Sequence, residues 1–249
     1  MRRLKAAVPL AAAAAILLAA WALAALCVHR SFLPSPWASL ARLVLRLGDG
    51  SLALHLGASA RRVGLALVLA APSAAALGLA AGRSRRLGAL LSPFVYLLHP
   101  LPKVAFLPII MLFLGLGDGA KVFLIALIIF GQILVSARDA ARAVPEAYIE
   151  SMRSLGATRA AMIRHVVFPF ALPALLSALR VGLGTAIAVL FIAESFASET
   201  GLGWYIVDAW TRVDYPDMYA AIVALSLFGF ACYLAVDAAE ARLCRWRDD

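Results

Sequence analysis

The chain has 249 residues, of which 64% are hydrophobic and 15% charged, with a formal net charge of +9 and a mean hydropathy of +0.91. A water-soluble domain of this size could not cover so much apolar surface, which excludes a soluble fold and makes lipid the solvent. The basic residues are scattered between apolar blocks, without a basic helix or an aromatic–basic platform, so the positive balance fits cytoplasmic loops of a membrane protein and no nucleic-acid partner.

In chain order, Met1 to Lys5 is basic and Val8 to Val28 is apolar. The apolar run is about 21 residues, against roughly 7–15 for a signal-peptide core, and Leu26 is too large to precede a cleaved Cys27. It reads as a retained first span entering from the cytoplasm. Cys27, Cys232 and Cys244 lie far apart with no C-x-x-C, so neither a disulfide framework nor a zinc site is indicated. Pro34 and Pro36 break the following helix, and Trp37 to Leu47 reads as an interfacial segment with Arg42 and Arg46 in the headgroups. A second span is expected from Val63 to Ala81, led in by Arg61 and Arg62 and ended by a short basic turn, Gly82 to Arg86, on the cytoplasmic side.

The third span, Leu87 to Leu114, contains Pro93, Pro100, Pro102 and Pro108 and cannot be one regular helix. Non-helical backbone at membrane depth is tolerated only in protein or along a cavity, and Lys103 falls in this break. A polar path and a packing kink both remain open there. The run GLGDGAK from Gly115 to Lys121 misses the phosphate-loop spacing: Ala120 separates Gly119 from Lys121, and no Ser or Thr follows. Its glycines are expected to end the third span, with Asp118 capping a fourth from Val122 to Ala137. The chain has no other nucleotide-binding motif, so any ATP must be bound by another polypeptide.

A polar, basic stretch then runs from Glu150 to Pro169 between apolar segments. It reads as two short helices with a break. Pro145 opens the first; Tyr148, Met152 and Leu155 share one apolar face; Glu150 and Arg153 are spaced for an ion pair; Gly156 supplies a left-handed cap. Span five follows from Val166 to Glu194, with Pro169 and Pro173 in its first turns and Arg180 and Glu194 in or near the membrane. Ionisable groups there point to a pathway or a partner, although Arg180 is also placed to snorkel. Glu199 to Gly203 turns the chain. Trp204, Tyr205, Trp210, Tyr215 and Tyr219 suit an aromatic belt, with Asp208, Arg212, Asp214 and Asp217 among them. A last span, Ala220 to Val236, leads to Arg242, Arg245 and Arg247.

Glu150, Gly156, Val166 and Pro169 match the spacing Glu, five residues, Gly, nine residues, aliphatic, two residues, Pro. This resembles the signature loop of the membrane subunits of ABC importers, with Ser151 and Met152 for two alanines, Val166 for isoleucine and Phe168 for leucine. Tyr96 to Pro108, Phe113 to Asp118, the run around Arg180 and Ala193-Glu194 narrow the resemblance to the nitrate/sulfonate/taurine branch, His99 standing where that branch often has arginine. The resemblance implies an all-α polytopic inner-membrane protein of about six spans, an ABC importer type I transmembrane domain. It divides the chain into a first helix and periplasmic linker (1–51), the transmembrane domain (52–238, with a cytoplasmic coupling loop at 145–169) and a cytoplasmic tail (239–249). It also implies a permease that passes a small solute, of sulfonate, nitrate or taurine type, delivered by a periplasmic binding protein. The partners implied are an ATP-binding cassette ATPase, which holds ATP and Mg²⁺, and a second permease copy in a homodimer. No cofactor is expected on this chain. Glu146, Tyr148, Glu150, Met152, Arg153, Leu155, Gly156 and Pro169 would form the ATPase-coupling loop, and Lys103, Arg180 and Glu194 a translocation pathway.

With six spans and a cytoplasmic start, both termini lie in the cytoplasm and the signature loop falls inside. Most basic residues then sit inside, with Arg30, Arg42, Arg46, Arg61, Arg62, Lys103, Lys121 and Arg212 outside. Two other functional classes fit the sequence less well. A secondary transporter or channel would act without an ATPase, but no inverted repeat is evident. A membrane enzyme would need a site, and His29, His55, His99 and His165 are scattered with no paired carboxylate or metal motif.

Overall fold

A computed structural model describes residues 2–98 and 100–247, so the expectation attached to His99 lies outside the described residues. Among those residues the chain is helical and has no strand. Helices α1 (Arg2–Val28), α3 (Ser51–Arg83), α6 (Asp118–Arg142), α9 (Phe168–Ser195) and α11 (Tyr215–Leu243) contain segments long and apolar enough to cross a membrane. Helix α4 (Arg85–Leu98) and a 3₁₀ turn (Lys103–Phe106) running into α5 (Leu107–Leu114) are together apolar enough for a sixth span and are bent by 84° at the break between them. The break expected from the prolines is therefore present. The shorter helices are α2 (Pro36–Gly48), α7 (Glu146–Ser154), α8 (Arg159–Met162) and α10 (Leu202–Thr211).

The spans are longer than hydropathy suggested. At 1.5 Å per residue, the 33 residues of α3 extend about 50 Å, well beyond a bilayer core of about 30 Å. Helix α3 starts at Ser51, so Arg61 and Arg62 lie within it and do not lead into it. The basic turn at Gly82 to Arg86 shrinks to the single residue Ser84, whose Oγ accepts a hydrogen bond from Leu87 N–H (3.3 Å) and so caps α4. Asp118 does not cap α6 either: Gly117 holds the cap position without a side-chain bond, and the Asp118 carboxylate is engaged by arginines instead.

Two compact units are formed. One comprises Met1–Ala58 with Glu199–Ser226, the other Ser59–Ser198 with Leu227–Asp249. In the second unit, α3 and α6 meet through small residues one turn apart. A Cβ added to Gly78 would lie 2.5 Å from Ala137 Cβ and 2.6 Å from the Leu134 carbonyl; at Gly82 it would lie 2.5 Å from Ala141 Cβ and 2.5 Å from the Arg138 carbonyl. Backbone approach through small residues is how spans associate in lipid, where no hydrophobic force separates helix from solvent. Gly78→Val is expected to destabilise the detergent-solubilised protein by about 1–3 kcal/mol or more, read as a lower unfolding temperature. Gly64→Val, where a Cβ would meet nothing within 4 Å, is the control and should leave it unchanged.

In the first unit, Ser35 caps α2 and Pro36 opens it. Arg42 and Arg46 turn inward rather than out toward headgroups. Arg42 Nε lies 3.1 Å from Asp217 Oδ1, Arg46 Nη2 lies 2.8 Å from Asp217 Oδ2, and Arg42 also reaches Asp214 at 3.5 Å. Asp217 is fully buried and accepts a further bond from Tyr205 Oη (3.1 Å). The bond to Asp217 is the main cause holding the Arg46 guanidinium above its ordinary value, and burial chiefly raises Tyr205. The Ser51 hydroxyl and N–H hold Asp49 below the ordinary carboxylate value.

The expected aromatic belt is largely consumed by packing. Trp204 stacks on His55 at 5.1 Å, Tyr219 on Trp21 at 5.5 Å, and Trp210 stays exposed.

Candidate functional site

The stretch from Pro145 to Pro169 begins with a short helix, α7, that keeps most of its surface exposed. Pro145 occupies the cap position, one residue before the helix it was expected to open. Ile149 is fully buried and anchors α7, while Tyr148 and Leu155 point outward, Leu155 at 81% exposure. Exposed Leu and Tyr on a two-turn helix fit a groove on another protein.

The helix end is tightly specified. Gly156 has φ +76°, its N–H bonds the Arg153 carbonyl (2.9 Å), and the Ala157 N–H bonds the Met152 carbonyl (3.0 Å). These are the two bonds of a Schellman cap. The ion pair differs from the one expected: Glu146, not Glu150, meets Arg153 at 3.6 Å and also Arg83 at 3.6 Å. Glu150 is exposed. Thr158, unnoticed in the sequence, then caps α8 by accepting from Ala161 N–H. The second short helix is not separate. It runs through a π turn at Ile163–Val167 into α9. Pro169 has no N–H to return to the preceding turn, and a locally widened turn there accommodates the loss.

A cavity of about 700 Å³ opens in the same unit, lined by α4, the Lys103–Phe106 turn, α6 and α9. Phe94, Leu98, Phe106, Leu127 and Val189 make most of its wall apolar, and Lys103, Gln132 and Thr185 are its polar residues. Gln132 Nε2 donates to Thr185 Oγ1 (3.3 Å), and its buried Oε1 has no hydrogen-bond partner among the described residues. The broken span thus borders a cavity, and Lys103 stands in its wall.

Arg180 and Glu194 are not among the lining residues. Arg180 Nη2 lies 2.6 Å from both Asp237 and Glu240, so its charge is neutralised within the protein rather than snorkelling. Glu194 belongs to a buried cluster that the sequence did not reveal. Its Oε1 lies 2.6 Å from Arg62 Nη1, and Ser59 Oγ donates to both of its oxygens at 2.9 and 2.8 Å. Arg62 also reaches Asp118 at 2.6 Å, and Arg61 pairs with the other Asp118 oxygen. Lys121 is buried beside them, donating to Ser198 Oγ (2.9 Å) and the Leu116 carbonyl (3.2 Å). The cluster ties α3, α6 and α9 together.

Residues 74–246 match the family model described as the binding-protein-dependent transport system inner membrane component. The chain belongs to this family. Its members among curated proteins include the taurine transport system permease protein TauC of Escherichia coli, to which the chain is 34% identical over 223 residues, 88% of this chain and 81% of the relative. The putative aliphatic sulfonates transport permease protein SsuC of Bacillus subtilis is 29% identical over 221 residues (89% and 80%). The formylaminopyrimidine transport permease protein ThiX of Halalkalibacterium halodurans is 27% identical over 236 residues (93% of each). The protein is thus an ABC importer permease of the nitrate/sulfonate/taurine branch, a multi-pass membrane subunit with a transport role. A transporter acting without an ATPase does not fit a binding-protein-dependent family.

Proposed function

We propose that two copies of this chain form the membrane passage of an importer driven by a separate ATPase, which carries the ATP and Mg²⁺. The chain lies in a bacterial inner membrane with both termini cytoplasmic, and a periplasmic binding protein delivers the solute. The observation that carries this reading is α7, a capped helix whose Tyr148 and Leu155 face outward beside the Gly156 cap. Closure of the ATPase dimer moves α7, and the spans rock between inward- and outward-open states, each stabilised by nucleotide or ligand. Orientation is supported by the basic residues, most of which fall in the segments that this arrangement places on the inner side.

The solute is a small anion of sulfonate, nitrate or taurine type, as the taurine and sulfonate relatives suggest. Lys103 is its electrostatic guide in the cavity wall. Arg180, held by two carboxylates, has no part in this and serves packing. Proteoliposomes holding the permease, its ATPase and its binding protein test the reading: anion uptake should require ATP. Lys103→Gln should reduce uptake by roughly tenfold, the worth of about 1.4 kcal/mol in a barrier, with the ATPase still bound. Uptake without nucleotide, or Lys103→Gln at full rate, would overturn it.

A further inference from the structure

Helix α2 is turned inside out. Its two ionisable residues, Arg42 and Arg46, lie on the face that meets Asp214 and Asp217 of the same unit. The opposite face carries Trp37, Ala41, Val44 and Gly48, spaced at three to four residues and flanked by Leu45 and Leu47, all of them exposed. Trp37 is 69% and Val44 71% exposed, and no charge remains on that side. In water such a face would be costly, with about 25 cal/mol lost for each Å² of apolar surface left wet.

We propose that α2 lies in the membrane surface with this stripe sunk into the boundary between headgroups and acyl chains. The bilayer, and not a protein, is its partner. Three observations select lipid. The helix is joined to the membrane helices α1 and α3 by the short links 29–35 and 49–50, so it cannot leave the surface. Its 13 residues extend only about 20 Å, too short to span. The apolar stripe also continues an apolar surface already present in this unit: no residue in the α1 span is buried, and Leu26, Val28 and Phe32, between that span and Trp37 in the chain, are exposed. Tryptophan at the end of such a stripe is the residue that prefers this depth. The inward arginine bonds are what fix the helix roll, since Asp217 is buried and accepts from both arginines.

The test is depth measurement on the full chain in phospholipid nanodiscs. With Cys27, Cys232 and Cys244 replaced by alanine, a nitroxide is placed at Val44→Cys and, separately, at Asp49→Cys. Collisions with oxygen should exceed those with a water-soluble nickel chelate at position 44, with the order reversed at 49. In the otherwise unaltered protein, lipids brominated near the headgroup should quench a fluorescence component that disappears in Trp37→Phe. Nickel access at position 44 would show a water-facing helix. Exclusion of both reagents would show a second copy or another protein on the stripe. Either result, or quenching unchanged by Trp37→Phe, overturns the proposal.

Discussion

Glu194→Ala is expected to destabilise the folded permease by about 3 kcal/mol. The substitution leaves the Arg62 guanidinium, 2% exposed, facing the site of a lost carboxylate, and removes the two carboxylate oxygens to which Ser59 Oγ donates. Removing one partner of a buried ion pair costs about 3–5 kcal/mol, because the remaining charge stays desolvated. Asp118 still holds Arg62 from the other side, which places the expectation toward the lower end of that range. Thermal or denaturant unfolding in detergent would measure it. Replacing both Arg62 and Glu194 by methionine should cost less than the sum of the two single changes, with a coupling of about 0.5–3 kcal/mol. If Glu194→Ala proved as mild as a surface change, within about 0.5 kcal/mol, the cluster would not be holding α3, α6 and α9 together.

The same cluster shows where sequence reading stops. The five apolar spans, the proline break and the exposed Gly156 cap were legible, because each follows from local chemistry: an apolar run, a missing N–H, a glycine at φ +76°. Arg61 and Arg62 were misplaced because a basic pair ahead of an apolar run looks like a flank anchor. Only the partners Asp118 and Glu194, more than fifty residues away, make Arg62 a buried lock. A usable signal existed: an acid inside span five needs a cation somewhere in the bundle, and Arg62 was available. For the same reason the roll of α2 was hidden, since Asp217 lies 171 residues beyond Arg46. The partners of Arg180, Asp237 and Glu240, lie near the end of the last span, and only folding brings them within 2.6 Å.

The coupling reading leads to the second large effect. In Gly156→Pro, the ring fixes φ near −65°, whereas this position has φ +76°, and the N–H that bonds the Arg153 carbonyl is gone. The cap of α7 is therefore lost outright. Co-purification with the ATPase should weaken by about 30-fold or more, the equivalent of losing an interface hot spot of about 2 kcal/mol. The spans should still insert. Since a misfolded loop could produce the same loss, Leu155→Asp supplies the decisive arm. Leu155 is exposed and touches little of its own chain, so the change should leave unfolding unaltered while desolvation of the new carboxylate abolishes docking. Asn at position 156, which tolerates left-handed backbone better than other residues, should retain part of the binding. Charge reversal in Glu150→Lys, also exposed, should reduce nucleotide hydrolysis stimulated by transport. Full ATPase binding by Leu155→Asp would mean that the motor grips another surface and that α7 transmits nothing.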